Sequence, residues 1–245
     1  MYQTYLFDLY GTLVDIRTDE EDIELWRKLS VFYGYYGANY TPEELYNSFL
    51  TEEHNLREEA KSKLGSSEDS YPEIVLERAF HALFEKKGIQ ASNELAVHAG
   101  QFFRILSLKY IKLYPNVVKM LETLQAKQKK VYLVSNAQQI FTEYDMNYLD
   151  IKKYFNGILF SSDAGVMKPD IRIYEQAIEK FQIDKDKAVM IGNDYTCDIL
   201  GAKAAGLDAF YVHTNISPAM PEDMKDTKWM YGMDGTKLLE QLLNT

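Results

Sequence analysis

The hydrophobic rhythm of the chain changes twice. It opens with a short apolar run, Tyr5-Leu6-Phe7, broken by Asp8, Gly11 and Thr12 and resumed at Leu13-Val14. An apolar, aromatic-rich run of this length bounded by turn residues reads as a buried strand. From Asp19 to about Tyr110 no strand pattern occurs, and apolar residues recur at helical spacing instead. Ile23, Trp26, Leu29 and Tyr33 make one stripe; Leu45, Phe49, Leu56 and Ala60 make another. Thr41-Pro42-Glu43-Glu44 is a helix start, with Thr41 as N-cap, proline at the first helical position and Glu44 closing a capping box. Leu64-Gly65-Ser66-Ser67 is a break. The pattern predicts a helix over Pro72–Lys87 ended by Gly88, and a last one from Ser92-Asn93-Glu94 to about Tyr110.

After that the rhythm alternates. Val117–Lys127 is predicted helical, and Lys130–Val134 is a strand ending at Ser135-Asn136. Past another helix, Gly157–Phe160 is a short strand, and Lys168-Pro169-Asp170 leads into a helix through Phe181. Ala188–Ile191 is a strand ending at Gly192-Asn193-Asp194. A helix from about Thr196 stops at Gly206, and Ala209–Val212 is the last clear strand, with a linking stretch and a closing helix in Asp226–Thr245. Strands separated by helices of 10–15 residues imply βαβ units and a parallel sheet covered on both faces. The expected architecture is α/β: a three-layer Rossmann-like parallel-sheet core, residues 1–15 and 111–245, with an α-helical insertion, residues 16–110.

Composition narrows the class. The 245 residues, 46% of them hydrophobic, suffice for a large core with an inserted smaller unit. A formal net charge of -10 argues against nucleic acid as a partner. No apolar run reaches the roughly 18 residues that span a bilayer, and the N-terminus enters a strand with no signal region. The single cysteine, Cys197, excludes an intramolecular disulfide and fits a reducing compartment. A soluble cytoplasmic protein acting on a small molecule is expected, with no membrane or nucleic-acid partner. Seven of the ten net negative charges lie in Asp19–Tyr110, with 17 acids against 10 bases, so an acidic insertion disfavours polyphosphates.

Three predicted strands end in reactive groups: Asp8, Ser135-Asn136, and Asp194 with Asp198; Lys168 lies between the last two. In a parallel sheet these ends share one edge, where open α/β folds place ligands. Asp8 reads as a carboxylate nucleophile, Gly11 as the point where backbone approaches a ligand, and Thr12 as a hydroxyl donor. The alternative for each alone is an ordinary turn or helix cap; their order after successive strands favours a site. Trp26, Phe32, Tyr33, Tyr35 and Tyr36 read as the insertion's own core and its contact with the sheet rather than as a ring-binding pocket. The four histidines show no metal-ligand spacing.

These residues resemble the haloacid dehalogenase-like hydrolases. FDLYGTLVD is similar to the family's first motif, VYLVSNA to its second, GVMKPD to its third and MIGNDYTCDILGAKAAG to its fourth. The insertion is similar to the family's helical cap of the first type, which closes over the site and selects substrate. The resemblance implies Asp8 as a nucleophile forming a covalent intermediate. It implies that Ser135, the backbone amide of Asn136 and Lys168 hold the transferring phosphoryl oxygens. Mg²⁺ would be bound by Asp8, Asp194 and the Tyr10 carbonyl, with Asp198 supporting the water shell and Lys168. Charge balance agrees, because a phosphate dianion beside several carboxylates needs a divalent cation and an ammonium.

One position departs from the pattern. Phosphatases of the family carry a second aspartate two residues after the nucleophile, to protonate the leaving alkoxide; here that residue is Tyr10. The DxYGT form resembles 2-haloacid dehalogenases, whose departing halide needs no proton. Those enzymes lack the acidic pair of the fourth motif and use a cap arginine. This chain has Asp194 and Asp198 and no arginine between Lys28 and Asn55, with Gly37 at the ungapped position. The implied function is a Mg²⁺-dependent hydrolase of a small phosphorylated metabolite, Tyr10 serving as an atypical acid or the acid being missing. The alternatives are a metal-free dehalogenase forming an ester on Asp8, and a binding protein with the fold alone.

Overall fold

The computed structural model describes residues 1–64, 70–224 and 226–243. Six parallel strands form one sheet: β1 (Thr4–Phe7), β4 (Lys130–Ser135), β5 (Gly157–Phe160), β6 (Ala188–Gly192), β7 (Asp208–His213) and β8 (Lys228–Tyr231), in the order β5-β4-β1-β6-β7-β8. β1 is buried along its whole length, as TYLF requires of a central strand covered on both faces. It pairs in register with β4 on one side and β6 on the other, so Phe7 lies level with Leu133 and Ile191. The residues just beyond these levels, Asp8, Ser135 and Gly192-Asn193-Asp194, therefore emerge together where the strand order reverses.

Alternate strand residues feed two cores. Tyr5, Phe7, Val131, Leu133 and Val189 pack with α5 (Val117–Ala126) and α10 (Gly235–Leu243) on one face. Leu6, Val134 and Met190 pack with Ile173, Tyr174 and Ala177 of α8 (Ile171–Phe181) on the other.

The helical insertion has its own core. α1 (Ile23–Tyr35), α2 (Pro42–Leu64), α3 (Glu77–Glu85) and α4 (Asn93–Ser107) enclose Trp26, Leu29, Tyr33, Phe49, Phe80 and Phe103. The Thr41 cap is present, its Oγ1 accepting from the Glu44 N–H at 3.1 Å, and Ser92 caps α4 through the Leu95 N–H at 3.1 Å. Trp26 and Tyr33 are fully buried, whereas Tyr35 is 85% exposed and takes no part in that core.

Three features depart from the expected elements. The insertion joins the sheet through a two-stranded antiparallel ribbon, β2 (Val14–Thr18) with β3 (Leu108–Leu113), so the last insertion helix ends at Ser107, short of Tyr110. β3 has no buried residue, and its lysines break up the apolar positions, which gives it no apolar run. The expected helix over Pro72–Lys87 begins at Glu77; the segment before it is not helical and forms a bridge, Pro72 to Val166, with the sheet domain. β8 was hidden because KWMY buries only Met230. The expected break at 64–67 lies outside the described residues except for Leu64, which closes α2.

Candidate functional site

At the C-terminal edge of the sheet, a pocket of about 220 Å³ is lined by Asp8, Tyr10, Ser135, Lys168, Asp194 and Asp198 among others. All its lining residues come from segments outside 16–110. Lys168 is its centre. Its Nζ lies 2.8 Å from Asp8 Oδ1, 2.5 Å from Asp198 Oδ1 and 3.0 Å from the Val134 carbonyl oxygen, and the residue is 3% exposed. An ammonium has three protons, and three acceptors surround this one. Burial alone would lower the Lys168 pKa; Asp198 and Asp8 outweigh it and hold the ammonium above its ordinary value.

Asp8 Oδ1 also accepts from Ser135 Oγ at 2.9 Å. Asp8 Oδ2 has a weaker contact, from Thr12 Oγ1 at 3.4 Å; that hydroxyl also reaches Asn193 Oδ1 at 3.2 Å. One carboxylate oxygen is thus pinned and the other is left less engaged, which suits a nucleophile. Gly11 has φ +87°, and a Cβ there would lie 2.3 Å from Asn193 Nδ2, so the chain turns tightly against the loop after β6. Thr214, beyond β7, donates to the Gly11 carbonyl at 2.8 Å and closes this turn from the other side.

Asp198 is fully occupied. Its Oδ1 takes Lys168, and its Oδ2 accepts from the Asp194 N–H at 2.9 Å. Burial raises its pKa, and the Lys168 ammonium opposes that shift. Asp194 caps the following turn, Oδ1 accepting from the Cys197 N–H at 2.9 Å. That turn, Tyr195–Leu200, is a wide π-type turn rather than the expected start of an α-helix, and its geometry turns Asp198 inward. Burial, with Asp194 and Asp198 adding to it, pushes the Cys197 thiol up to about 12, which removes it as a nucleophile near neutral pH.

The donor set suits a hard cation. Among the described residues no group of three or more His, Cys, Asp and Glu side chains could hold a metal. Mg²⁺ needs no such cage, because it takes one or two carboxylates and fills its octahedron with carbonyls, water and phosphate oxygens. Asp8 and Asp194, facing one pocket, supply that pair. Both oxygens of Asp198 are already engaged, by Lys168 and by the Asp194 N–H, so it offers a cation no free oxygen.

Tyr10 lines the same pocket, but its phenol is spoken for. The hydroxyl donates to Asp145 Oδ2 at 2.7 Å and lies 3.3 Å from Thr142 Oγ1. Arg104 Nη2 donates to the same Asp145 oxygen at 2.6 Å and reaches the phenol oxygen at 3.2 Å. Burial pushes the Tyr10 pKa well above the phenol value, Arg104 opposing and Asp145 adding to the shift. As an acid, Tyr10 is weakened twice over: its proton is already donated, and it is harder to remove.

Several contributors were not legible beforehand. Arg104 sits on α4 and Asp145 on α6 (Gln139–Tyr148), 41 residues apart. Asn193 and the loop residues Ile216 and Pro218 complete the pocket, and Thr214 braces the Gly11 turn beside it. Asp145 is buried on α6 with Ile140, Thr142 and Met146, a placement that no pattern in the sequence disclosed.

A family model for the haloacid dehalogenase-like hydrolases matches residues 2–206. A glyceraldehyde 3-phosphate phosphatase of Methanothermobacter thermautotrophicus is 28% identical over 172 residues, covering 69% of this chain and 73% of that one. A phosphoserine phosphatase of Thermus thermophilus is 26% identical over 152 residues; the match covers 62% of this chain and 60% of the relative, under two thirds of its length. The solved structure of a 2-haloacid dehalogenase from Pseudomonas syringae pv. Tomato superposes with a TM-score of 0.66 at 20% identity, over 100% of this chain and 99% of that one. At that identity the likeness is one of fold.

Proposed function

The chain belongs to the haloacid dehalogenase-like hydrolases, and from that premise we propose that it is a Mg²⁺-dependent phosphatase of a small phosphorylated metabolite, working through an aspartyl-phosphate on Asp8. The observation that carries this reading is the buried ion set in which Lys168 bridges Asp8 and Asp198, with Asp194 in the same pocket. Several carboxylates around one ammonium leave the site net negative, which repels a haloacid carboxylate but suits a metal-bound phosphoryl group. The phosphatase names of the relatives from Methanothermobacter and Thermus support the same choice.

In this reading Asp8 attacks phosphorus, Ser135, the Asn136 amide and Lys168 bind its oxygens, and Thr12 orients Asp8. Asp8, Asp194 and the Tyr10 carbonyl would hold Mg²⁺, and Asp198 would support its water shell while fixing Lys168. The bound cation would supply charge neutralisation at the phosphoryl oxygens. Residues 1–15 and 111–245 would be the catalytic core, and 16–110 a cap governing access.

The test is release of inorganic phosphate from a panel of phosphate esters with Mg²⁺ and then with EDTA, beside Asp8→Asn. Turnover lost with EDTA and with Asp8→Asn is expected. No phosphate release, with chloride release from 2-chloropropionate in EDTA, would establish the dehalogenase instead.

A further inference from the structure

Cleaving an alkyl phosphate near neutral pH calls for a proton at the leaving oxygen, and the protons of this pocket are already placed. The three of Lys168 point at Asp8, Asp198 and the Val134 carbonyl. The Ser135 hydroxyl donates to Asp8, and the Tyr10 phenol donates to Asp145, which Arg104 holds from the opposite side. The amides of Asn136 and Asn193 donate to the Lys168 carbonyl and to Ser217 Oγ, and an amide is no acid in this range. What remains is the Cys197 thiol, a weak donor, and three carboxyl groups placed as acceptors: Asp8 from Ser135 and Lys168, Asp194 from the Cys197 N–H, and Asp198 from Lys168 and the Asp194 N–H. Among the described residues, no side chain of the helical insertion lines the pocket to make good the deficit.

We infer that the leaving group departs from this site unprotonated, so its substrates are phosphoryl compounds with weakly basic leaving oxygens, acyl and phenolic phosphates, rather than alkyl esters. This rests on the phosphatase reading above. The chemistry balances without an acid. An Asp8 oxygen bonds to phosphorus, the bond from phosphorus to the leaving oxygen breaks, and the electron pair leaves on that oxygen as a carboxylate or phenoxide anion. Water then bonds to phosphorus, the Asp8–phosphorus bond breaks to restore the carboxylate, and both water protons depart on dihydrogen phosphate. The pinned phenol sets this chain apart in chemistry from the alkyl esters, glyceraldehyde 3-phosphate and phosphoserine, in the names of its relatives.

The experiment compares kcat/KM, which reports transfer to Asp8, for 4-nitrophenyl, phenyl and benzyl phosphate with the unmodified protein and Mg²⁺. The three share a ring and differ in the leaving oxygen. A positioned general acid contributes about 10²–10⁴-fold, so a fall of about that size from 4-nitrophenyl to benzyl phosphate is expected, with acetyl phosphate hydrolysed at least as well as the nitrophenyl ester. Values within tenfold across the ring series would overturn the inference and leave the phosphatase reading standing. Absence of phosphate release from every compound, acetyl phosphate included, would overturn the phosphatase reading and this inference with it.

Discussion

Asn136 and Lys168 hold each other through two hydrogen bonds: Asn136 Nδ2 donates to the Lys168 carbonyl at 2.9 Å, and the Lys168 N–H donates to Asn136 Oδ1 at 2.7 Å. The pair ties the end of β4 to the loop that carries the ammonium, across 32 residues of sequence. Asn136 therefore positions Lys168 through its side chain, a role apart from the one implied for its backbone amide. Asn136→Ala removes both bonds and frees the loop. The expected result is a loss of about 100-fold in kcat/KM, the scale of a 1 Å misplacement, against a stability loss of about 1–2 kcal/mol. Phosphate-release kinetics and urea titration check the two separately; unchanged kinetics would show that the loop holds itself.

Gly192 ends β6 directly beneath Asp198. A Cβ at this position would lie 2.2 Å from the Asp198 Cβ, Cγ and Oδ2, so Gly192→Ala displaces the carboxylate that anchors Lys168. Overpacking of this kind costs about 1–3 kcal/mol, and the larger effect is expected in activity, since Asp198 has no room to retreat within the core. Thermal unfolding together with turnover tests this: wild-type turnover at wild-type stability would mean the turn after Gly192 yields instead.

What the chain disclosed in advance follows from physics that acts locally. Tyr5–Phe7, Val131–Val134 and Val189–Ile191 are buried on both faces, so each had to be a short apolar run, and Asp8, Ser135 and Asp194 had to follow the ends of those runs. Convergence of the three strand ends then comes from the parallel order alone. The ribbon β2–β3 interleaves Asp15, Arg17, Lys109 and Lys112 with its apolar residues and is buried only at Val14 and Asp15, so it left no strand-like apolar run. The Tyr10–Asp145–Arg104 cluster was invisible for another reason. Each residue is unremarkable on its own helix or turn, and only docking of α4 on α6 brings the three together.

Asp170 links the Lys168 loop to the insertion. It is buried and accepts from the Tyr71 N–H at 3.2 Å, from the Arg172 N–H at 3.0 Å and from the Arg172 guanidinium at 2.8 and 2.6 Å. Burial raises its pKa, but the bonds from Arg172 and Tyr71 prevail and hold it below the usual carboxylate value. A depressed folded pKa contributes stability that is present above the unfolded value of about 3.9 and lost as pH falls through the folded value. Stability is therefore expected to decline below about pH 4, and Asp170→Asn should lower it near neutrality and flatten that decline. Urea titrations across this acid range check the slope; an unaltered slope in the variant would assign the acid sensitivity to other carboxylates.

Arg104 and Asp145 form the buried ion pair that joins the insertion to the sheet domain, with side chains 13% and 6% exposed. It is reinforced nearby by Gln138, whose Oε1 accepts from the Leu76 N–H at 3.0 Å and whose Nε2 donates to the Ile74 carbonyl at 3.0 Å. The Gln138 contacts and the bridge from Pro72 to Val166 lie apart from the β2–β3 ribbon, so the insertion is fastened at points beyond its two connecting strands. Removing one partner of a buried pair leaves the other charge uncompensated, at a cost of about 3–5 kcal/mol. Asp145→Ala should therefore destabilise by about that amount. It should also speed amide exchange in residues 71–76 and 165–167, where the backbone contacts between the two parts lie. Adding Arg104→Ala should recover part of the loss, because the stranded guanidinium is gone. Strictly additive losses, or exchange in 71–76 unchanged by Asp145→Ala, would show that the pair does not fasten the insertion and that the contacts of residues 71–76 hold it without the pair.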